Sequence, residues 1–556
     1  MTRAGGIVDR LLAAAAAGLL AYWAVYVAVA PVVNGDAHGY NLGRLLVAER
    51  HGLFDNAFWT NVNQIVFPWA FDAVHYPFLK IGLFENLPSF LCFLGLLCAV
   101  VLMLRRCGAP GLWPTAVLAL LASPMIALQA TTAKNDFALL FFAVAGAWFL
   151  VQWIEGDRRA FIPIMAALCA AFAVGTKTTG VIFAMGISAG ALVAAFRNGW
   201  HRGWIYFAAF PVFLLLFGSI ETVWNNHLSF GDWQGDTVFM QWHQHSDGLK
   251  GALANAIRYF FNGLTSGLDA NFVNSSESFW LKHRCVEVLQ LLGIQNYGLR
   301  QYDSPESFYL LVANVDSQTT FGLVGLLGAG ASLVLLARLR FRTVWWWLAL
   351  TGWAYFGAFC LKVGWGPTNL RMLTPAYGLW IISATIALAP WLRDHAGWRR
   401  GLTAAFLLMA LAVPMFASKR SPQAIAEALH DRDAMMLAER PSLREELALA
   451  DRVRRENPDL PAFVVLGFNG WVVPYLQGAH GKWEPVPNPN DLKQLDIAGL
   501  RKLYPALQPG REILLILSQN TKLDIIGKSQ VLGTTTDGVR ALRVTIPPDS
   551  ATPPAS

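Results

Sequence analysis

The chain alternates between long apolar runs and short polar segments. Each run contains roughly 17 to 23 apolar residues, the length that carries one helix across the hydrocarbon core of a bilayer. The pattern predicts about eleven spans, near residues 11–33, 87–104, 113–131, 136–154, 161–176, 179–196, 204–224, 319–337, 344–361, 373–391 and 400–417. Ala28 and Ala30 give the first run a small-residue cleavage pattern, but Pro31 disfavours cleavage, so we interpret the run as an uncleaved span.

The polar segments between the runs differ in charge. Every second one is rich in arginine: these are Arg3 and Arg10, Arg105 and Arg106, Arg158 and Arg159, Arg197 and Arg202, Arg338, Arg340 and Arg342, and Arg393, Arg399 and Arg400. Basic loops are typical of the cytoplasmic side. The pattern therefore predicts that residues 34–86, 225–318 and the whole C-terminal region lie outside the cytoplasm.

The three outer regions contain predicted elements of their own. Apolar positions within 42–53 and 249–264 recur at helical spacing, and the second of these helices either packs on the bundle or contacts the membrane. After Ala417 the sequence is typical of a soluble α/β domain, with a helix from Pro441 to about Asn457 and strands at 462–467, 512–517 and 541–546. We predict a transmembrane domain at 1–418 and an extracytoplasmic domain at 419–556.

Composition supports this class. Hydrophobic residues make up 55% of the chain and charged residues only 14%, which indicates a polytopic α-helical membrane protein. The formal charge of +7 resides largely in the short basic loops, where it sets topology, so no nucleic-acid partner is predicted. Of the six cysteines, four fall within apolar runs, and no disulfide framework is expected.

Several ionisable residues fall at the outer ends of the predicted spans. They are Asp36, His75, Asp136, Lys177 and Arg371, with His38 and Glu221 as further candidates. Ionisable groups at the ends of membrane spans commonly serve function. The predicted topology places all of them at one membrane surface.

These residues occur in short motifs whose order is informative. The motifs are Asp36 after the first span, His75-Tyr76-Pro77-Phe78-Leu79 leading to Leu83-Phe84-Glu85-Asn86-Leu87-Pro88-Ser89, Lys134-Asn135-Asp136 opening the fourth span, Gly175-Thr176-Lys177-Thr178-Thr179-Gly180, Asn225-Asn226-His227 after the seventh span, and Asn369-Leu370-Arg371-Met372-Leu373-Thr374-Pro375. In order and spacing the chain resembles the GT-C superfamily of integral membrane glycosyltransferases, which includes aminoarabinose transferases and protein O-mannosyltransferases. The resemblance covers residues 20–390. The family often has a second acidic residue after the first, where this chain has Ala37 and His38.

The resemblance implies a GT-C fold and an enzyme of a bacterial inner membrane. Such an enzyme moves a sugar from a polyprenyl-phosphate donor, in contact with membrane lipid, to a glycolipid, polysaccharide or protein acceptor on the outer face. Cations at the headgroup level stabilise a departing phosphate, which suits Lys177 and Arg371. A single carboxylate base, Asp36, predicts inversion at the anomeric carbon, and Asp136 and His75 complete the expected catalytic set.

Each candidate also has a structural interpretation. Asp36 and Asp136 are suited to capping helices, Lys177 and Arg371 to anchoring helix ends, and His75 to packing in its loop. A divalent cation, Mg²⁺ or Mn²⁺, is a possible cofactor held by Asp36 and Asp136, whereas the spacing of His243 and His245 favours a solvated loop over a metal site.

Two other functions compete with the transferase. A transporter or flippase of lipid-linked sugars predicts charged residues deep in several spans and inverted repeats. A non-catalytic assembly subunit predicts tolerance to substitution at Asp36, Lys177 and Arg371 together.

Overall fold

The computed structural model describes residues 3–32, 37–52, 62–265, 276–300, 319–338, 343–416, 420–432, 435, 441–465, 483–485, 504, 507–517 and 529–546. Within this part of the chain, seven helices are long and apolar enough to cross a membrane. They are Gly6–Val29, Leu87–Arg106, Asp136–Ile154, Thr178–Asn198, Val344–Lys362, Asn369–Asp394 and Ala396–Met415. The predicted polytopic helical class is confirmed.

Two further predicted spans are bent helix pairs. Pro110–Leu121 and Pro124–Ala130 meet at 94°, and Gly203–Phe217 and Ile220–Phe230 meet at 52°, which brings the described spans to as many as nine. Shorter apolar helices at Phe161–Thr176 and Gly322–Ala337 coincide with the other two runs. The hydrophobic pattern of 113–131 and 204–224 gave no sign of these bends. Ser123 is extended before Pro124, as a residue before proline prefers, and Ser219 breaks the second pair with a φ of +54°.

The helix Thr374–Asp394 occupies the middle of the bundle. It belongs to the span Asn369–Asp394, and 83% of the most apolar stretch of that span is buried inside the protein. Phe321 stacks on Tyr377 with ring centroids 3.9 Å apart, and Trp353 packs on Trp380 at 4.2 Å. This helix is therefore held on several sides, which fixes the residues that precede it.

Ion pairs gather at the basic end of the bundle. Asp9 accepts from Arg399 Nη2 at 2.7 Å and from Arg400 Nε at 3.0 Å, and Arg106 pairs with Glu155. Glu155 directly follows the helix Asp136–Ile154, whose other end is Asp136, about 28 Å away for an α-helix of this length. The basic loops thus lie at the opposite end of this helix from the predicted site.

The two loops that were predicted to lie outside the cytoplasm form short helices. In the first loop these are Ala37–Leu42, Gly43–His51, Val62–Val66 and Ala70–Ile81, and in the larger loop Thr237–His243, Gly248–Gly263 and Ser276–Leu291. The helix predicted at 249–264 is present. It buries Asn255 and Arg258 against the bundle, while Leu249 and Phe260 are 82% and 51% exposed. One face of this helix therefore packs on the bundle, as one of the two alternatives predicted. The opposite face exposes apolar side chains, which leaves the alternative of membrane contact open for that face.

The C-terminal region contains the predicted helix, Pro441–Glu456, after a shorter one at Pro422–His430. Its sheet has strands β1 (Ala462–Val465), β2 (Trp483–Pro485), β3 (Glu512–Leu517), β4 (Ser529–Thr534) and β5 (Arg540–Thr545) in the order β2-β1-β3-β5-β4. β1 runs parallel to β2 and β3, and β5 is antiparallel to β3 and β4. β1, β3 and β5 were predicted, while the short β2 and the largely exposed β4 lack the apolar runs that identify a buried strand.

Candidate active site

The turn that carries Lys177 is shaped by two glycines. The helix Phe161–Thr176 ends at Thr176, Lys177 is extended with φ −160° and ψ +143°, and Thr178–Gly180 makes one 3₁₀ turn. A Cβ on Gly175 would lie 1.7 Å from the carbonyl oxygen of Phe217, and one on Gly180 would lie 1.7 Å from that of Ala173. Since side chains fit at neither position, the glycines allow close approach of the backbone on both sides of Lys177.

Asp136 meets two cations from distant parts of the sequence. Lys177 Nζ pairs with its Oδ1, and Arg371 Nε lies 3.7 Å from its Oδ2. The Asp136 side chain is 3% exposed, that of Lys177 13% and that of Arg371 9%. Asn135 Nδ2 donates to the Thr176 carbonyl at 2.9 Å and so joins the two helix ends. The structure thus brings Asp136, Lys177 and Arg371 into one cluster at one surface of the bundle.

A hydroxyl network holds the two cation-bearing segments together. Tyr355 donates to the Met372 carbonyl at 2.8 Å, and its oxygen lies 3.0 Å from Thr179 Oγ1. Thr374 Oγ1 donates to the Arg371 carbonyl at 2.6 Å. Tyr355 therefore links the Lys177 turn to the Arg371 turn, a role that nothing in its apolar sequence context predicted.

Further positive charge surrounds this cluster. Lys134 is 2% exposed, and its carbonyl accepts from Ser89 Oγ at 3.0 Å. Arg300 packs on the backbone before Arg371: its Cζ lies 3.3 Å from where a Cβ on Gly366 would be. Arg300 was not predicted, because it lies in a polar segment with no apolar period and only contacts in the folded protein bring it close to the Arg371 turn. Among the described residues, the cluster has more cations than carboxylates.

His75 is buried within the helix Ala70–Ile81. The helix places it beside the 82–86 turn, where its Nδ1 donates to the Glu85 carbonyl at 2.7 Å and its ring packs edge-on against Phe71. Burial lowers the pKa of His75 to about 4, so the ring is neutral at neutral pH. Nε2 has no hydrogen-bond partner among the described residues. His75 thus presents an acceptor nitrogen instead of a cation.

The remaining candidates have different outcomes. Asp36 lies outside the described residues, and for His38 the structure describes the backbone alone, in the helix Ala37–Leu42. Glu221 begins the helix Ile220–Phe230 and accepts a hydrogen bond from Trp69 Nε1. Glu221 therefore ties the helix after the bend to the first loop.

His243 and His245 do not lie in a solvated loop, so that prediction was wrong. The His245 side chain is 1% exposed, and its Nε2 lies 2.8 Å from the Cys360 carbonyl. Burial, with Arg300 and Arg371 nearby, lowers the pKa of His243. The loop is covered because Gly364 N donates to the His243 carbonyl and joins it to the backbone before Arg371.

An apolar cleft runs along the helix Asp136–Ile154. Phe183, one of its lining residues, stacks on Tyr355 with ring centroids 4.8 Å apart. From there the cleft follows the helix Asp136–Ile154 toward its far end, lined by Ala143, Ala147, Leu150, Val151, Ile154, Gly186, Ile187, Gly190, Val193, Val344, Trp347, Leu348, Thr351 and Leu379. Val193 and Trp347 are each 41% exposed at its rim. The cleft is linked to the cation cluster through Phe183 and Tyr355, although none of Asp136, Lys177 and Arg371 lines it.

Comparison with known proteins identifies the fold. No protein-family model matches the sequence, and a search of curated proteins found no match. The structure is similar to that of ArnT from Cupriavidus metallidurans in the apo state, with a TM-score of 0.54 and 15% identity over 96% of this chain and 97% of that one. ArnT from the same organism bound to undecaprenyl phosphate gives a TM-score of 0.54 and 13% identity over 98% and 99%. The chain therefore has the GT-C fold that its sequence motifs predicted.

Proposed function

We propose that this protein is a glycosyltransferase that moves a sugar from a polyprenyl-phosphate donor to an acceptor outside the cytoplasm. The observation that carries the proposal is the buried cation cluster at Asp136, with an apolar cleft linked to it through Phe183 and Tyr355. A donor with an anionic phosphate and a long hydrocarbon tail matches both parts. ArnT, whose fold is similar, has been crystallised with such a lipid phosphate.

The proposed step is a direct displacement. An acceptor hydroxyl or amine attacks the anomeric carbon and forms a new bond, while the bond from that carbon to the phosphate oxygen breaks. The electron pair leaves with the polyprenyl phosphate, and the acceptor proton passes to Asp36. One displacement inverts the configuration at the anomeric carbon.

Lys177 and Arg371 supply the positive charge for this step. Both would contact the phosphate and stabilise the charge that develops as it departs, in a largely buried setting where such interactions are strong. Asp136 is engaged by both cations, so we assign it to orienting them and not to proton transfer. This leaves Asp36 as the base, and the neutral His75 as a hydrogen-bond acceptor.

A divalent cation does not fit at Asp136. Its two oxygens already face Lys177 and Arg371, whose charges oppose a metal ion. Among the described residues, no group of three or more His, Cys, Asp or Glu side chains is arranged to hold a metal.

The transporter alternative predicts ionisable groups within the membrane. In ten of the eleven predicted spans, the segments 11–29, 87–104, 113–130, 137–154, 161–176, 181–196, 322–337, 344–361, 372–392 and 401–416 contain no Asp, Glu, Lys or Arg. The remaining span contains Glu221, directly after its bend at Gly218-Ser219. Charged residues are instead gathered at the helix ends, which supports chemistry at the surface over passage through the bundle.

Binding of undecaprenyl phosphate to the purified protein in lipid nanodiscs tests the donor site. We expect Lys177→Gln and Arg371→Gln each to weaken binding at least tenfold, about 1.4 kcal/mol. Lys362→Gln is the matched control, since Lys362 is exposed at the end of a neighbouring helix. Equal affinity in all four proteins would contradict the assignment.

The transfer itself is tested in cells. Mass spectrometry of envelope glycolipids, polysaccharides and proteins should show a sugar-sized mass difference that depends on the wild-type chain. Asp36→Asn should lose the product, by at least about a hundredfold, while still binding undecaprenyl phosphate. A variant that forms product like the wild type would remove Asp36 from the mechanism.

A further inference from the structure

The segment after the last apolar helix returns to the first helix of the chain. The helix Ala396–Phe416 is followed by residues 420–432, which include the helix Pro422–His430. The Arg420 guanidinium lies over the Tyr26 ring at 5.1 Å, and its backbone carbonyl accepts from the Tyr22 hydroxyl. This segment is therefore packed against the outer half of Arg3–Val29.

Arg432, at the end of this segment, makes three contacts with its guanidinium group. Nε donates to the Val29 carbonyl at 3.3 Å, Nη1 donates to the Gly82 carbonyl, and Nη2 pairs with Glu85 Oε2. The side chains of Arg432 and Glu85 are 24% and 12% exposed. The three acceptors belong to the end of the first helix and to the 82–86 turn, which are more than 50 residues apart in sequence.

Asn86 completes this arrangement. Its Nδ2 donates to the carbonyls of Ala30 and Pro31 at 3.1 and 3.3 Å. With the Val29 carbonyl on Arg432, three consecutive carbonyls at the end of the helix have side-chain partners. Terminal carbonyls of a helix lack partners within the helix, so these side chains fix where the chain leaves it.

The 82–86 turn also carries the contact that orients His75. The backbone carbonyl of Glu85 accepts from His75 Nδ1, while its side chain pairs with Arg432. The turn contains two residues with positive φ, Gly82 at +70° and Phe84 at +63°. A non-glycine residue in this region needs support from its surroundings, and Arg432 supplies contacts on either side of Phe84.

We propose that Arg432 is a positioning residue for sugar transfer. It fixes the exit of the first helix at Val29, seven residues before the sequence reaches Asp36, and it fixes the turn that orients His75. The inference rests on the proposed function. It also assigns residues 420–432 to the transfer machinery, although they follow the last membrane span.

The test compares Arg432→Gln, Arg432→Lys and Arg455→Gln in the full-length protein in nanodiscs. Arg455 is the control because it is exposed and bonds within its own helix, to the Asp451 carbonyl. We expect Arg432→Gln to lower kcat at least tenfold while undecaprenyl phosphate binding changes less than twofold. Arg432→Lys keeps the charge facing Glu85 but cannot reach three acceptors, so it should recover part of kcat.

Glu85→Gln tests whether Arg432 affects transfer through its ion pair with Glu85. If Glu85 acts through its ion pair with Arg432, the variant that carries both Glu85→Gln and Arg432→Gln should be no slower than Arg432→Gln alone. Independent roles would multiply the two losses and overturn this part of the proposal. A kcat of Arg432→Gln within twofold of the wild-type value would overturn the proposal that Arg432 is a positioning residue. Equal losses of kcat and of lipid binding would also overturn it.

A measurement without turnover separates this proposal from the proposed function. Hydrogen exchange should become at least tenfold faster at residues 26–32 and 82–86 in Arg432→Gln, with residues 130–140 unchanged. Unchanged exchange at both segments would overturn the proposal that Arg432 fixes the helix exit and the 82–86 turn. If exchange became faster but the wild-type protein transferred no sugar, Arg432 would still be shown to fix both segments, and the proposed function would be rejected.

Discussion

At the residue scale, the sequence can identify candidate site residues, but their charge state depends on where the fold places them. His75 is an example, because burial lowers the pKa of its ring to about 4. A histidine in an unfolded chain titrates near 6.5. The neutral form is therefore built into the folded protein, and a role as a phosphate-binding cation does not suit it at neutral pH.

This difference predicts a pH dependence of stability. As the pH falls through 6.5, the unfolded chain binds a proton at His75 that the folded protein does not take up above pH 4, so the folded state loses stability. At pH 5 the loss is about 2 kcal/mol relative to pH 7. Thermal unfolding of the wild type and of His75→Gln at both pH values measures it.

The variant serves as the control, since glutamine does not titrate. Its midpoint should change less between pH 7 and pH 5 than that of the wild type. Equal changes in the two proteins would show that His75 does not contribute to the acid sensitivity.

Some residues of the site could be predicted from the sequence, and others could not. Asp136, Lys177 and Arg371 could be nominated because each lies at the end of a predicted span, and consecutive span ends alternate between two surfaces. Arg300 and Tyr355 could not, since one lies in an irregular segment and the other in an apolar helix. Their contributions depend on contacts between distant segments, which no local pattern encodes.

At the element scale, hydrophobic runs predicted where helices lie but not where they bend. The bends at Ser123 and at Gly218-Ser219 arise from local backbone geometry within continuous apolar runs. The strands β3 and β5 were predicted because they bury apolar residues, whereas the exposed β4 is recognisable only from its pairing with β5.

The Lys177 turn yields a prediction at this scale. Gly175→Ala places a methyl group 1.7 Å from the Phe217 carbonyl oxygen, so the helix Phe161–Thr176 must move away from the bend after Phe217. We expect a loss of about 1–3 kcal/mol in stability. Transfer should fall as well, because the same movement displaces Lys177 from Asp136.

Gly330→Ala is the matched control. Gly330 lies within the helix Gly322–Ala337, and a Cβ there would meet nothing within 4 Å. Its unfolding midpoint should equal or exceed that of the wild type. If Gly175→Ala behaved like Gly330→Ala in both assays, the close approach at Gly175 would not constrain the turn.

At the scale of the whole molecule, the two ends of the bundle differ in chemistry. Arg106, Glu155, Asp9, Arg399 and Arg400 pair at one end. Asp136 lies at the opposite end of the helix that leads to Glu155. Sequence predicted this separation, because basic residues occur in every second loop, and from it we expect the Asp136 end to face away from the cytoplasm.

Cysteine labelling checks the orientation. In a background with the six native cysteines replaced, Ser246→Cys should react with a membrane-impermeant maleimide in intact spheroplasts. Arg158→Cys should react only after permeabilisation; both positions are exposed. The reverse pattern would place the site on the cytoplasmic face.

The excess of cations around Asp136 has a consequence for the catalytic cycle. A donor phosphodiester carries one negative charge, whereas the spent carrier is a phosphomonoester with a charge between about −1.5 and −2 at pH 7. Under the proposed reaction, Lys177 and Arg371 would therefore hold the product lipid more tightly than the substrate. Departure of that lipid would then limit turnover, and added undecaprenyl phosphate would inhibit in competition with the donor.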